Sequence, residues 1–212
     1  MSVGDLLEQP AETSVRNEPV QARSALRLSS LLDAAAHVVD EQGYDRLTTA
    51  MVADRAGASI GTVYRYFPDR IAVLEGLGAR SVRRLITEVE SQLSDSADVA
   101  ESVDILLAAY VAMYRTEPGF RVLRYSDSAD GRPNDHPTSS ALVRSLADLA
   151  ARRGHDLTAA DRMFQLEAIV TLCTSLIHRA FAADRGGDER FIAAAATVAT
   201  ESMRTLNSAP DA

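Results

Sequence analysis

Apolar residues recur at three- and four-residue steps along most of this chain, a spacing that places them on one face of successive helices. The clearest case covers residues 28–39, in a helix predicted to begin near Arg23 and to close at Gly43. No segment alternates apolar and polar residues with the two-residue period of a half-buried strand. The sequence therefore predicts an all-α fold.

Breaker residues divide the rest of the chain into further helices. A long helix is predicted from a cap at Asp69 to Leu93, where the polar run 94–98 interrupts it. Shorter or later helical segments are predicted at 103–114, 120–125, 141–152, 158–182 with Thr158 as a cap, and 189–206. Residues 1–22 are acidic and poor in large apolar groups, which predicts a disordered extension, and 207–212 form a tail.

A stretch at 48–70 predicts two short helices joined by a tight turn. We expect Thr49 to cap the first and Ser59 the second, because a hydroxyl accepts from the orphan N–H groups of a helix start. Gly57 ends the first helix, since a residue without a Cβ adopts the left-handed conformation at least cost. The second helix is expected to present Tyr64, Arg65 and Tyr66 outward. A short helix of this kind, braced by another, fits the major groove of DNA.

This stretch and the helix before it resemble the N-terminal domain of TetR-type transcriptional regulators. The resemblance spans roughly residues 24–76 and rests on four ordered pieces: Leu31-Leu32-Asp33-Ala34-Ala35, Gly43-Tyr44, residues 52–57 and residues 61–70, which end in Tyr-x-Tyr-Phe-Pro-Asp-Arg. One departure is Ile60, where many members carry Lys or another polar residue. Ile60 can contact a thymine methyl group, or it can simply pack.

The resemblance implies a one-component regulator of the repressor type. A helix-turn-helix head at 23–76 would bind palindromic double-stranded operator DNA as half of a homodimer. A helical body at 77–206 would dimerise and bind a small, mainly apolar effector that releases the DNA. Family members approach bases at the positions of Ile60, Gly61, Tyr64 and Arg65. They contact phosphates at the positions of Thr49, Thr62, Tyr66 and Arg70.

The last two predicted helices are the expected dimer contact. The first of them has an apolar stripe formed by Leu166, Ile169, Val170, Cys173, Leu176, Ile177 and Ala180. The second is dense in small residues over 193–200, which let helix axes approach closely. These helices either complete the core of a single chain or, as the resemblance implies, pair with their symmetry mates in a four-helix bundle.

Aromatic and apolar residues in the predicted body are the candidate effector contacts. The candidates are Tyr110, Met113, Tyr114, Phe120, Leu123 and Phe164. Such residues pack an ordinary core or line an apolar cavity. The resemblance implies a ligand pocket between the helices of the body.

Charge narrows the function further. All 22 basic residues are Arg and the net charge is −8, which argues against a uniformly basic nucleic-acid binder. The charge is unevenly spread, since residues 1–22 sum to −3, residues 23–84 to +2 and residues 85–212 to −7. The basic balance therefore lies in the segment that contains the predicted reading helix. An acidic remainder suits a domain that faces away from DNA.

The sequence contains no sign of an enzyme. No two His residues have the spacing of metal ligands, and no phosphate-binding glycine loop or nucleophile motif is present. The single Cys173 excludes an intrachain disulfide and suits the cytoplasm, and no apolar run is long enough for a membrane span. We expect no cofactor. The alternative is a helical small-molecule-binding protein or enzyme whose head docks a protein partner, which predicts converging titratable groups in the body.

Overall fold

The computed structural model describes residues 18–94, 97–120, 137–157 and 159–208. The described residues form eight α-helices without strands, which confirms the predicted all-α class. In chain order they are α1 (Glu18–Gln42), a short 3-10 helix (Tyr44–Arg46), α2 (Thr49–Arg55), α3 (Ile60–Tyr66), α4 (Arg70–Gln92), α5 (Val99–Thr116), α6 (Pro137–Arg152), α7 (Ala160–Ala180) and α8 (Glu189–Ser208). The predicted disorder of residues 1–17, most of the predicted turn at 120–125 and the predicted cap Thr158 lie outside the described residues.

Local signals set most of the helix ends. Gly43 follows α1 with a φ of 86°, and Gly154 follows α6 with a φ of 85°, as expected for residues that stop a helix. The Asp69 carboxylate accepts from the amide N–H of Ala72 at 2.8 Å, which confirms the predicted cap of α4. Helix α1 begins at Glu18, five residues before the predicted start near Arg23, so the predicted disorder of residues 1–22 is wrong for 18–22.

The chain divides into two compact units. Among the described residues, the first contains 18–80 and 118–120 and is called the head unit below. The second contains the described residues of 81–117 and 137–208 and is called the body unit. Helix α4 contributes residues to both units, because the division falls after Arg80.

The head unit is built around the apolar face of α1. Leu31 and Val39 of this helix are fully buried, together with Val52 of α2 and Val63 of α3. Phe67, directly after α3, is also fully buried in this core. The core therefore fixes α2 and α3 against α1, through Val52 and Ala53 of α2 and through Val63 of α3.

Residues 118–120 complete the head unit. Phe120 is 1% exposed. Gly119 has a φ of +78°, and a Cβ at this position would lie 2.9 Å from the carbonyl oxygen of Ala36 in α1. Because side chains rarely adopt this conformation and none fits against the main chain of α1, the turn after α5 requires glycine here.

The body unit packs α7 and α8 closely against each other. Leu166, Cys173 and Ile177 of α7 are buried, and Ala195 and Ala199 of α8 are buried as well. Four residues of the apolar stripe predicted as a dimer contact are therefore buried within their own chain, whereas Ile169, Val170 and Leu176 of the stripe are half-buried. None of the helices in the described part of the chain has the length and apolar content needed to cross a bilayer.

Candidate nucleic-acid interface and effector cavity

The first short helix of the turn motif is capped by Thr48. Its hydroxyl accepts from the amide N–H of Met51 at 3.2 Å, and its φ of −131° and ψ of 152° are those of a cap residue. The prediction that Thr49 is the cap is wrong by one position. Thr49 is the first residue of α2 and is only 9% exposed, so its side chain points into the head unit.

The turn and the start of α3 agree with prediction. Gly57 has a φ of 58° after α2, and the amide N–H of Ala58 donates to the carbonyl of Ala53 at 2.9 Å. The Ser59 hydroxyl accepts from the amide N–H of Thr62 at 3.1 Å, which confirms Ser59 as the cap. These bonds hold α3 at a defined angle to α2.

Helix α3 presents one face outward. Val63 is fully buried and anchors the helix, whereas Ile60 is 43% and Tyr64 is 53% exposed. Gly61 and Arg65 are also exposed. The outer face therefore combines an apolar side chain, a bare stretch of backbone, a phenol and a guanidinium.

The tyrosines of α3 are held in position by hydroxyl contacts within the head unit. The Thr49 hydroxyl donates to the Tyr64 hydroxyl at 3.4 Å, and the Tyr66 and Ser24 hydroxyls lie 3.1 Å apart. The Arg65 guanidinium lies 5.3 Å from the centre of the Tyr66 ring. Such contacts restrict side-chain rotation before any partner binds, which lowers the entropy lost on binding.

Arg70, the first residue of α4, is held beside the same surface. Its guanidinium donates to the carbonyl of Asp45 at 2.8 Å and lies 5.8 Å from the centre of the Tyr44 ring. A guanidinium has five N–H donors, so this bond leaves others for a phosphate. Thr62 is half-buried, with its hydroxyl 2.9 Å from the hydroxyl of Ser59.

Ion pairs neutralise some of the arginines in the head unit. Arg55 makes two bonds to the Glu41 carboxylate, at 2.5 and 2.6 Å, and these bonds lower the pKa of Glu41. Arg80 pairs with Asp33 at 2.6 Å. Within the described part of the head unit, the arginines without a carboxylate partner are Arg23, Arg27, Arg46, Arg65 and Arg70. Fewer arginines of the head unit are therefore available to bind phosphates than the number of arginines in its sequence indicates.

Two exposed residues beside this surface, Arg46 and Thr48, were not predicted as DNA contacts. Arg46 follows Asp45, whose carbonyl accepts from Arg70. Their positions in the short 3-10 helix and at the start of α2 were the available signal. The misplaced cap explains the omission of Thr48, because the prediction gave its capping role to Thr49.

The body unit contains an apolar cavity of about 300 Å³. Five helices supply its lining, with Val89 from α4, Leu106 from α5, Leu149 from α6, Val170 from α7 and Met203 from α8. Ligand pockets are typically about 300–1,000 Å³ and mostly apolar, so this cavity is at the small end of that range. Cys173 also lines the cavity, and burial raises the pKa of its thiol to about 11.

Few polar groups border the cavity, and most are already engaged. The Asp98 carboxylate caps α5, and the Ser102 hydroxyl donates to the Asp98 carbonyl at 2.8 Å. Arg153 donates to the carbonyl of Ser94 at 2.7 Å. His155 completes the polar part of the lining. The lining therefore suits a mainly apolar molecule.

Of the six residues predicted to contact an effector, the five that the structure describes do not line this cavity. Tyr110 and Tyr114 pack together with ring centres 5.5 Å apart, and Tyr114 stacks on Phe181 at 4.9 Å. Burial raises the pKa of Tyr114 to about 12. Met113 is buried and borders a separate, open groove.

The other predicted effector contacts are dispersed. Phe120 belongs to the head unit, and Leu123 lies outside the described residues. Phe164 is 72% exposed. Together with Ala168 and Leu172, which follow at intervals of four residues, it forms a ridge along one side of α7. Leu172 is 57% exposed, so this outer ridge of α7 is an uncovered apolar surface.

Comparisons with known proteins agree with this architecture. A family model described as "Bacterial regulatory proteins, tetR family" matches residues 31–77, and one described as "Tetracyclin repressor-like, C-terminal domain" matches residues 98–201. The crystal structure of a TetR-family transcriptional regulator from Streptomyces coelicolor matches with a TM-score of 0.71 and 29% identity. The match covers 85% of this chain and 99% of that chain.

More distant relatives share parts of the chain. The structure of RolR in complex with resorcinol has a TM-score of 0.56 and 23% identity, covering 89% of this chain and 96% of that chain, which shows a shared fold. The nucleoid occlusion factor SlmA of Vibrio vulnificus is 28% identical over 99 residues, which are 46% of this chain and 50% of that protein. The chain thus spans about half the length of the curated relatives it matches.

Proposed function

The chain belongs to the TetR family of bacterial transcriptional regulators, and from that premise we propose that it binds operator DNA as a homodimer. A small, mainly apolar molecule would bind the body and release the DNA, so that the protein acts as a ligand-responsive repressor in the cytoplasm. We propose a binding function rather than an enzymatic one. The observation that supports it best is the outward face of α3, which is pre-positioned and bordered by arginines without ion pairs.

The proposed DNA surface divides into base contacts and phosphate contacts. The exposed side of α3 supplies the base contacts Ile60, Gly61, Tyr64 and Arg65. Thr62, Tyr66 and Arg70 lie beside it and would contact phosphates, which position a protein on DNA without reading sequence. Thr49 is buried, so we propose that it acts through Tyr64, whose hydroxyl accepts its hydrogen bond.

The proposed dimer uses the outer ridge of α7, formed by Phe164, Ala168 and Leu172. Phe164 and Leu172 are among the exposed large apolar residues of the described chain. Because exposed apolar patches of this kind mark interaction sites, we propose the ridge as the main contact, in place of the more buried stripe. A two-fold pair of chains would present two copies of α3 to a palindromic site.

The proposed effector site is the cavity of the body unit. Its volume of about 300 Å³ lies at the small end of the range found for ligand pockets. A small aromatic or short aliphatic molecule suits a cavity of this size and apolar lining. The structurally similar RolR binds resorcinol, a molecule within this size. The six residues predicted from sequence stay a separate, untested prediction.

Selection of bound DNA from a random pool tests the function directly. The full-length protein should enrich a palindromic sequence, and a scrambled sequence should bind more weakly. Arg70→Ala should weaken binding to both sequences and reduce the salt dependence, because a lost phosphate contact releases fewer counterions. Failure to enrich any sequence at low salt would contradict the proposed function.

A further inference from the structure

The side chains of Ile60 and Tyr64 are both exposed and lie next to each other on α3. Ile60 is 43% exposed and Tyr64 is 53% exposed, and residues four positions apart are neighbours on one face of a helix. Helix α3 has only seven residues, and Val63 is its buried residue. Val63 thus anchors this short helix in the core, while the side chain of Ile60 and the ring of Tyr64 remain exposed on its outer face.

The fold does not account for Ile60. Ser59 caps the helix, and Val63 fills the core, so neither task falls to Ile60. The sequence left open whether Ile60 packs or contacts a thymine methyl, and its exposure in the head unit argues against packing. Isoleucine also has a lower helix propensity than residues such as alanine or glutamate, so helix stability does not favour it at an exposed position. The exposed part of the Ile60 side chain is therefore available to a partner of the head unit.

Gly61 leaves the backbone beside Ile60 bare. A Cβ at Gly61 would have only the Ser59 hydroxyl oxygen within 4 Å, at 3.9 Å, so the fold has room for a side chain here. A glycine inside a helix is less stable than an alanine, and nothing in the head unit requires it. Its absence of a side chain lets a partner surface approach α3 closely, next to Ile60.

In the major groove, only thymine presents an apolar group to a protein, its C5 methyl. Ile60 has no donor or acceptor on its side chain, so it gains nothing from the polar edges of the other bases. Resting on the proposed DNA-binding function, we propose that Ile60 selects a thymine in each operator half-site by packing on its methyl group. The polar Tyr64 and Arg65 would read neighbouring groups.

Replacement of thymine by deoxyuridine tests this contact, because deoxyuridine lacks only the methyl group and still pairs with adenine. The probe is the operator obtained by selection, with each thymine of a half-site replaced in turn. Wild-type protein should lose about fourfold in affinity at one position per half-site, the value expected for one buried methyl group. Replacement in both half-sites should cost about fifteenfold, if the two contacts are independent.

The variants assign the effect to Ile60. Ile60→Ala should bind the thymine operator more weakly and should no longer distinguish thymine from deoxyuridine at that position. Arg65→Ala should also bind more weakly but should keep the full deoxyuridine effect, which makes it the matched control. Circular dichroism should show the same helix content for all three proteins, because both side chains are exposed.

The outcomes separate this proposal from the function on which it rests. If wild-type protein selects an operator but tolerates deoxyuridine at every thymine, the Ile60 contact is wrong and the DNA-binding function stands. If the deoxyuridine effect persists in Ile60→Ala, another side chain or the DNA shape reads the methyl group, and the proposal is also wrong. If no DNA is enriched, the proposed function itself fails.

Discussion

Gly61→Ala should stabilise the free protein and weaken its binding to DNA. The added methyl group would lie 3.9 Å from the Ser59 hydroxyl oxygen, an ordinary contact, and would meet no other atom within 4 Å beyond its chain neighbours and the backbone of its own helix. Alanine is more stable than glycine inside a helix by about 0.5–1 kcal/mol. For a chain of this length, about 1 kcal/mol raises the midpoint of thermal unfolding by roughly 2–4 °C.

The loss of DNA affinity follows from the same geometry. If α3 approaches the bases at Gly61, the methyl group overpacks the interface, and overpacking costs about 1–3 kcal/mol, or roughly 5- to 150-fold in affinity. Thermal unfolding followed by circular dichroism measures the first effect, and a gel-shift titration with the selected operator measures the second. Opposite changes in stability and in affinity are the expected signature.

Gly57→Ala is the matched control. This glycine is also exposed and has no atom within 4 Å of an added Cβ, but its φ is +58°. An alanine there must adopt the left-handed conformation, which costs about 1–2 kcal/mol. The control should therefore lower the unfolding midpoint, where Gly61→Ala raises it. An unchanged DNA affinity in Gly61→Ala would refute the close approach of α3, and a lowered midpoint would refute the helix geometry.

Three further experiments test the rest of the structure. Gly119→Ala should lower the unfolding midpoint more than Gly154→Ala, because both have positive φ but only Gly119 meets backbone atoms within 3.0 Å; equal losses would contradict the packing of 118–120. Leu172→Arg should convert a dimer to a monomer, as measured by sedimentation, without loss of helix content. An unchanged mass would show that the dimer interface is not at this ridge. Cys173 should react slowly with iodoacetamide at pH 8 and faster as the pH approaches 11, since burial raises its pKa to about 11 and only the thiolate reacts; rapid labelling at pH 8, measured by intact mass, would contradict its burial.

Short-range physics made the head predictable from sequence. Apolar spacing identified α1, and the cap at Ser59 and the positive-φ glycines Gly43 and Gly57 set the turns. Each of these depends on residues within one or two helical turns, so the sequence contains the whole signal. The cap of α2 was missed by one residue because Thr48 and Thr49 are adjacent and carry the same hydroxyl. Only the backbone conformation separates them.

In the body, the helices could be predicted from the sequence, but the packing between them could not. Its helices were predictable from periodicity, but the sequence did not show which of their apolar residues would border a cavity. Tyr114 stacks on Phe181, Cys173 borders the cavity, and Phe164 lies in solvent. A periodic pattern shows which residues share a helix face. Helix α7 has two apolar faces, so the pattern did not show which of them would be buried in the body unit.

The sequence by itself thus determined the helices, the turn motif and the family resemblance, because these arise from contacts between near neighbours in the chain. Tertiary structure alone decided the buried face of α7, the lining of the cavity and the exposure of Ile60. These features depend on how helices that are distant in sequence pack together. Protein interiors are closely packed, so a cavity or an uncovered ridge remains only where neighbouring helices do not contact one another.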